Sequence, residues 1–284
     1  MATIAAVMSA GTTAHAGPLR PTPQGGDVYE ISIDRRMAQQ GSDGSKSSST
    51  DRDTLIERVI GVRADGVELE YDLPSDATPE DRARTWQFPV RVLKGRDTPM
   101  RLLNGQQLEA RVDDWLKRGG LTRSACGQWT FTWNAFRIEC DPQSVIKTLE
   151  LVDLDAVHLQ DGAALREPMA SGPVPLKRTA KATGSTLAAE LTVDGAAVGR
   201  ARAESDVVVA QLMKKPLSLE AALRDRGKDV VSGTISVTFD VGSDGRARRR
   251  VKVTRLETKR PSGKLETQTV TEIVERHLVS RPNS

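Results

Sequence analysis

The stretch from Trp86 to Cys140 holds all four tryptophans, three of the four phenylalanines and both cysteines of the chain. Each buried aromatic ring removes ~150–250 Å² from water, so the densest packing is anchored here. Within it, Cys126 to Cys140 reads as a strand, a short turn and a second strand. Trp129, Phe131 and Trp133 alternate with Thr130 and Thr132, which puts the three rings on one face of a strand with period two. Such a stripe either packs as core beneath Trp115 and Leu116 or lines a groove for an apolar ligand. The flanking cysteines suit a cross-strand disulfide, Cys126–Cys140. A redox pair is normally spaced Cys-x-x-Cys, and a metal site needs more ligands than two thiolates.

A disulfide implies an oxidising compartment, and the N-terminus reads the same way. Thr3 to Ala10 is a short apolar run, and Ala14-His-Ala16 before Gly17 is an A-x-A cleavage pattern, although no Lys or Arg precedes Arg20. Residues 1–16 are therefore expected to be a signal peptide, and the protein periplasmic or secreted. No cysteine stands at the cleavage point to carry a lipid anchor. No apolar run approaches the ~18–20 residues of a transmembrane helix.

The remaining chain divides by composition. Residues 17–27 are rich in Pro and Gly and read as a flexible leader; 28–160 form an N-terminal α+β domain; 161–184, with Pro168, Pro173 and Pro175, a linker; 185–284 a β-rich domain. From Asp27 to Met37, Tyr29, Ile31 and Ile33 alternate with polar partners, which predicts a strand. The Gly, Ser and Asp run from Gln39 to Asp51 predicts a mobile loop. Asp65-Gly66, between apolar or alternating runs, predicts a hairpin with a type I′ turn, and Asp244-Gly245 marks a second Asp-Gly hairpin.

Helices are expected where apolar residues recur every three to four positions. Leu108, Val112, Trp115 and Leu116 place the best one over 104–117, ended by Gly119-Gly120. A short one starts at Thr78-Pro79, another at Asp141-Pro142 with Val145, Ile146 and Leu149 inward, and a third after Ser218. Asp194-Gly195 reads as a turn before a helical segment over 203–213. The fold class predicted is α+β and β-rich: long antiparallel meanders, as a curved sheet or half-barrel, with a few packed helices.

The chain offers little catalytic chemistry. It contains no G-x-S-x-G, Walker, G-x-G-x-x-G or H-E-x-x-H motif. Ser144-Val-Ile-Lys147 matches the S-x-x-K of serine acyl-enzymes and makes a Ser144/Lys147 hydrolase the alternative, but the S-D-N and K-T-G companions are missing. Asp153, Asp155 and Asp161 suggest a calcium loop until Val157 falls where an oxygen ligand belongs. Glu109, Asp113 and Asp114 read as a solvated helix face. No metal and no cofactor is therefore expected.

The formal net charge of +3 gives no global attraction to nucleic acid. The most basic run, Arg246 to Arg255, splits as a strand. Arg248, Arg250 and Lys252 share one face, and Arg249 and Arg255 the other with Val251 and Val253. It reads as a solvated strand paired with Glu266, Glu272 or Glu275, or as a basic patch for phosphate or lipid headgroups. No aromatic residue interleaves to stack a base, which argues against nucleic acid.

The Ser/Gly run, Glu57-Arg-Val-Ile60, Val67-Glu-Leu-Glu-Tyr-Asp-Leu-Pro74 and the Cys126–Cys140 hairpin resemble uncharacterised proteobacterial exported proteins. The long-strand meanders are similar in style to the half-barrel periplasmic lipoprotein carriers. These resemblances imply an envelope location and no activity. The function expected is therefore non-enzymatic: an envelope protein that binds an unidentified partner protein or an apolar, lipid-like ligand, or else a purely structural envelope component.

Overall fold

Residue alternation in the first third becomes three consecutive strands in the computed structural model, which describes residues 23–95, 98–131, 135–157 and 159–281. The signal-peptide segment 1–16 lies outside the described residues. Strand β1 (Val28–Gly41) buries Tyr29 and Ile31 and exposes Glu30 between them. Strands β2 (Lys46–Arg63) and β3 (Gly66–Asp72) follow.

The run expected to be a mobile loop is the far half of the β1–β2 hairpin. Gly41 pairs with Ser45, and Gly44, at φ 83°, turns the chain. The polar side chains here do not prevent strand formation, because both edges of β1 are hydrogen-bonded, one by β2 and the other by the last strand. The hairpin at Asp65-Gly66 forms with Arg63 opposite Gly66, yet not through a type I′ turn. Ala64 and Asp65 make the link, and the positive φ falls on Gly66 instead.

Helix α1 (Pro79–Arg84) starts as expected, with Thr78 and Asp81 forming a reciprocal capping box. Strands β4 (Val90–Gly95) and β5 (Arg101–Leu102) lead into α2 (Gly105–Arg118), which buries Leu108, Val112 and Leu116. The aromatic hairpin is β6 (Trp129–Phe131) with β7 (Ala135–Arg137). Helix α3 (Ser144–Val152) begins slightly later than expected, because Asp141 accepts from the backbone of Gln143 and Ser144 and so closes a turn first.

The Pro- and Gly-rich stretch 161–184 contributes β8 (Ala164–Leu165), β9 (Val174–Pro175) and β10 (Lys177–Lys181), with Leu165 and Leu176 buried. After β11 (Gly184–Thr192) comes α4 (Gly195–Leu212). Asp194-Gly195 is its N-terminus rather than a turn. The Asp194 carboxylate accepts from the N–H groups of Ala196 and Ala197 at 2.8 and 3.2 Å, which satisfies two of the helix's free donors. Helix α5 (Leu219–Arg226) is capped by Ser218. Strands β12 (Val230–Val241), β13 (Ala247–Lys259) and β14 (Leu265–Ser280) form the expected closing meander.

Ten strands make one antiparallel sheet in the order β10-β11-β12-β13-β14-β1-β2-β3-β4-β5, open rather than closed into a barrel. Its centre is the β14–β1 pair, running from Val28 opposite Ser280 to Gly41 opposite Glu266. Strands from both halves of the chain therefore share a single ladder.

The inner face carries Ile31, Leu55, Leu69, Val92, Leu187, Ile235 and Phe239. These pack in one cluster with Leu108 and Val112 of α2, Val145 and Leu149 of α3, and Val198 of α4. Polar clips fix the covering layer. Arg202 of α4 donates to Thr258 of β13 at 2.8 Å, and Lys94 of β4 lies 2.5 Å from Asp153 just beyond α3. The outer face of the sheet is laced by ion pairs instead: Asp34 with Arg36 and Arg52, Arg58 with Glu70, and Glu68 with Arg63 and Arg91.

Candidate functional site

One end of the inner face is not filled by the helices. A bulge between Val59 and Gly61 re-aims the end of β2, so Val62 faces inward opposite Val67 yet remains 44% exposed. Across from this hairpin, Val152 and Leu154 close the end of α3. Between them lies a cavity of about 420 Å³, within the ~300–1,000 Å³ typical of small-molecule sites. Val59, Val62, Val67 and Leu69 form one wall, and Val152 and Leu154 the other. Gly66 keeps the rim narrow: a Cβ there would collide with the Lys94 carbonyl of the adjacent strand.

The polar part of the cavity is ion-paired. Arg276 of β14 donates to Glu57 of β2, both side chains being almost completely buried. The guanidinium also lies over the Tyr29 ring, 3.5 Å from its centroid. Burial alone would lower the Arg276 pKa, but the charge and hydrogen bond of Glu57 outweigh it and hold the group above its ordinary value. Tyr71 is fully buried nearby. Its hydroxyl is pushed well above the usual phenol range, first by burial and then by the negative charges of Glu57 and Asp153. Lys94 reaches Asp153 at 2.5 Å and Asp155 at 3.8 Å. The arrangement suits non-covalent binding: apolar walls accept a chain or ring, and a rigid charged floor fixes the shape.

Cys126, Cys140, Trp129 and the basic patch of Arg248, Arg250 and Lys252 do not line this cavity, whereas Asp153 and Asp155, which the sequence offered only as a discarded calcium loop, do. Cys126 and Cys140 are bonded, with Cα atoms 5.6 Å apart. Trp129 is 37% exposed, and β6 runs against α4. Phe131 supplies strand backbone to the hairpin; Trp133 lies outside the described residues, as does His158.

Four cations of the basic run are engaged within the chain. Arg248 pairs with Asp244, Arg250 donates to the Leu151 carbonyl, and Lys252 sits 2.7 Å from Glu167 and 3.5 Å from Glu272. Arg249, on the opposite face, pairs with Glu275 at 2.6 Å. The Ser144 hydroxyl donates to the Asp141 carbonyl at 2.6 Å, Lys147 is exposed, and neither lines the cavity. Among the described residues no cluster of three or more His, Cys, Asp or Glu is placed to hold a metal ion, and no helix is long and apolar enough to cross a membrane.

Sequence reading assigned no site role to Glu57, Lys94 or Arg276, and weighed Asp153 only as a calcium-loop carboxylate. Glu57 did carry a signal. It occupies an inward position between Leu55 and Val59, where alternation calls for an apolar residue, so a buried partner was implied.

No family model matches the chain, and no curated protein matches it. Among solved structures it is similar to one described as lipid-protein interactions in lipovitellin, at 11% identity and a TM-score of 0.37. The alignment covers 92% of this chain and 26% of that one, so the chain spans about a quarter of lipovitellin's length.

Proposed function

We propose that this protein is a non-enzymatic binding protein of the bacterial envelope that takes an apolar, lipid-like ligand in the cavity between the β2–β3 hairpin and the end of α3. The observation that carries the reading is the pair of facing aliphatic walls, left open with Val62 partly in water. Apolar side chains are normally driven together, so a gap of this size between them is a place for outside apolar surface. The Cys126–Cys140 bond supports an oxidising compartment, the periplasm or the exterior. Cleavage after Ala16 belongs to the same proposal. Intact mass of the secreted protein tests it: a chain beginning at Gly17 supports export, and a full-length chain with free thiols rejects it.

The binding reading is tested with neutral ligands. Aminoanthracene should fluoresce on entering the cavity and be displaced by hexadecanol. Val62→Glu, at a rim position that tolerates a polar residue, should weaken both by at least about tenfold, because a carboxylate in the wall opposes apolar contact. Absence of saturable binding in the wild type, or equal binding by the variant, would remove the cavity from consideration.

A further inference from the structure

The charges around the cavity are matched within the chain, with one exception. Arg276 is held by Glu57, Lys94 by Asp153 and Asp155, and Arg63 by Glu68. The side chain of Arg246, just before β13, has no carboxylate partner among the described residues. Its Nε is buried without a hydrogen bond. A buried guanidinium N–H with no acceptor is costly, and an acceptor arriving from outside the chain is one way to satisfy it.

Arg246 is also the wall between two spaces. On one side is the apolar cavity; on the other is a smaller one of about 250 Å³ that includes Arg248 and Arg281. There, Arg281 lies 3.2 Å from Asp27, and Arg248 pairs with Asp244. Two carboxylates thus face three guanidiniums, and the unmatched positive charge sits where the apolar walls end.

We infer that Arg246 is a head-group anchor: it takes the acidic end, a carboxylate or a phosphate monoester, of a ligand whose apolar chain lies against Val59, Val62, Leu69 and Leu154. This rests on the reading of the cavity as a lipid site and narrows its ligand class to anionic amphiphiles. The planar fork of a guanidinium matches either anion with two parallel N–H···O bonds, shorter and stronger than neutral ones.

Hexadecanoic acid and hexadecanol share a chain and differ in the head. In competition with aminoanthracene for the full chain at mildly alkaline pH, the acid should bind at least about tenfold more tightly than the alcohol. In Arg246→Gln the preference for the acid over the alcohol should disappear. Arg246→Lys should keep part of the preference. Hexadecyl phosphate, measured alongside, separates the two sources: whichever anion binds tighter names the head. Equal binding of acids and alcohol by the wild type, or a preference that survives in Arg246→Gln, overturns the anchor and leaves the lipid site standing. Failure of every ligand to bind the wild type overturns the lipid site itself.

Discussion

Arg276 lies with its guanidinium 3.5 Å from the centre of the Tyr29 ring, so one cation joins the last strand of the sheet to its neighbour β1. Glu57, one strand further on, completes the contact from below the cavity. Because both charged side chains are nearly sealed from water, removing one leaves the other buried and alone. Arg276→Ala should therefore cost about 3–5 kcal/mol, whereas Glu57→Gln combined with Arg276→Met should cost much less. Urea unfolding of the single and double variants measures this. A single variant no worse than the double one would mean that the two charges are not coupled.

The disulfide closes the aromatic hairpin over a sequence separation of 14 residues. On chain-entropy grounds a loop of that size is worth about 3 kcal/mol. Replacing both cysteines by serine should lower the unfolding free energy by roughly that amount, and reduction of the native protein should do the same. An unchanged midpoint in denaturant would show that the hairpin is held by its packing alone.

Asp206 of α4 and Arg226 of α5 are joined by two hydrogen bonds, at 2.6 and 2.7 Å. The bonds from Arg226 hold the Asp206 carboxyl below its ordinary range. A carboxyl with a depressed folded pKa stabilises fully above its unfolded value of ~3.9, and that stability is lost as pH falls through the folded value. Since the Arg226 and Asp206 side chains are 25% and 34% exposed and the pair is screened, Asp206→Asn should cost no more than about 1 kcal/mol near neutrality. The gap between variant and wild type should close in acid. Urea midpoints at neutral and strongly acid pH provide the check, and a gap that persists in acid would assign the effect to packing.

Gly66 faces the Lys94 carbonyl so closely that a methyl group has no room. Gly66→Ala should push β4 away from the β2–β3 hairpin and cost about 1–3 kcal/mol. The same displacement should change the affinity for an apolar probe, because Gly66 and Lys94 both line the cavity. A variant with native stability and native probe affinity would show that the rim yields easily.

Local patterns in the sequence disclosed local structure. The stripe of Leu108, Val112 and Leu116 placed α2, Thr78-Pro79 placed the start of α1, and the Asp-Gly pairs placed two hairpins. Strand ends were less legible, since Gln39–Gly41 owe their strand conformation to β14 on one side and the β2 arm of the hairpin on the other, and Lys46–Asp51 owe theirs to β1, rather than to their own side chains. Asp194 looked like a turn because an aspartate before glycine serves equally as a helix cap. The site was hidden for a different reason. Glu57 and Arg276 stand 219 positions apart, and only the register of β1 between β2 and β14 brings them together.

That register also governs the order in which the molecule can be assembled. Strand β1 finds its second partner in residues 265–280, so during synthesis it waits, with one hydrogen-bonding edge bare, until nearly all of the described chain has emerged. Such distant pairing slows folding and keeps the newborn polypeptide pliable, while its open edge invites wrong partners. Strand β14 acts as the latch that ends the wait.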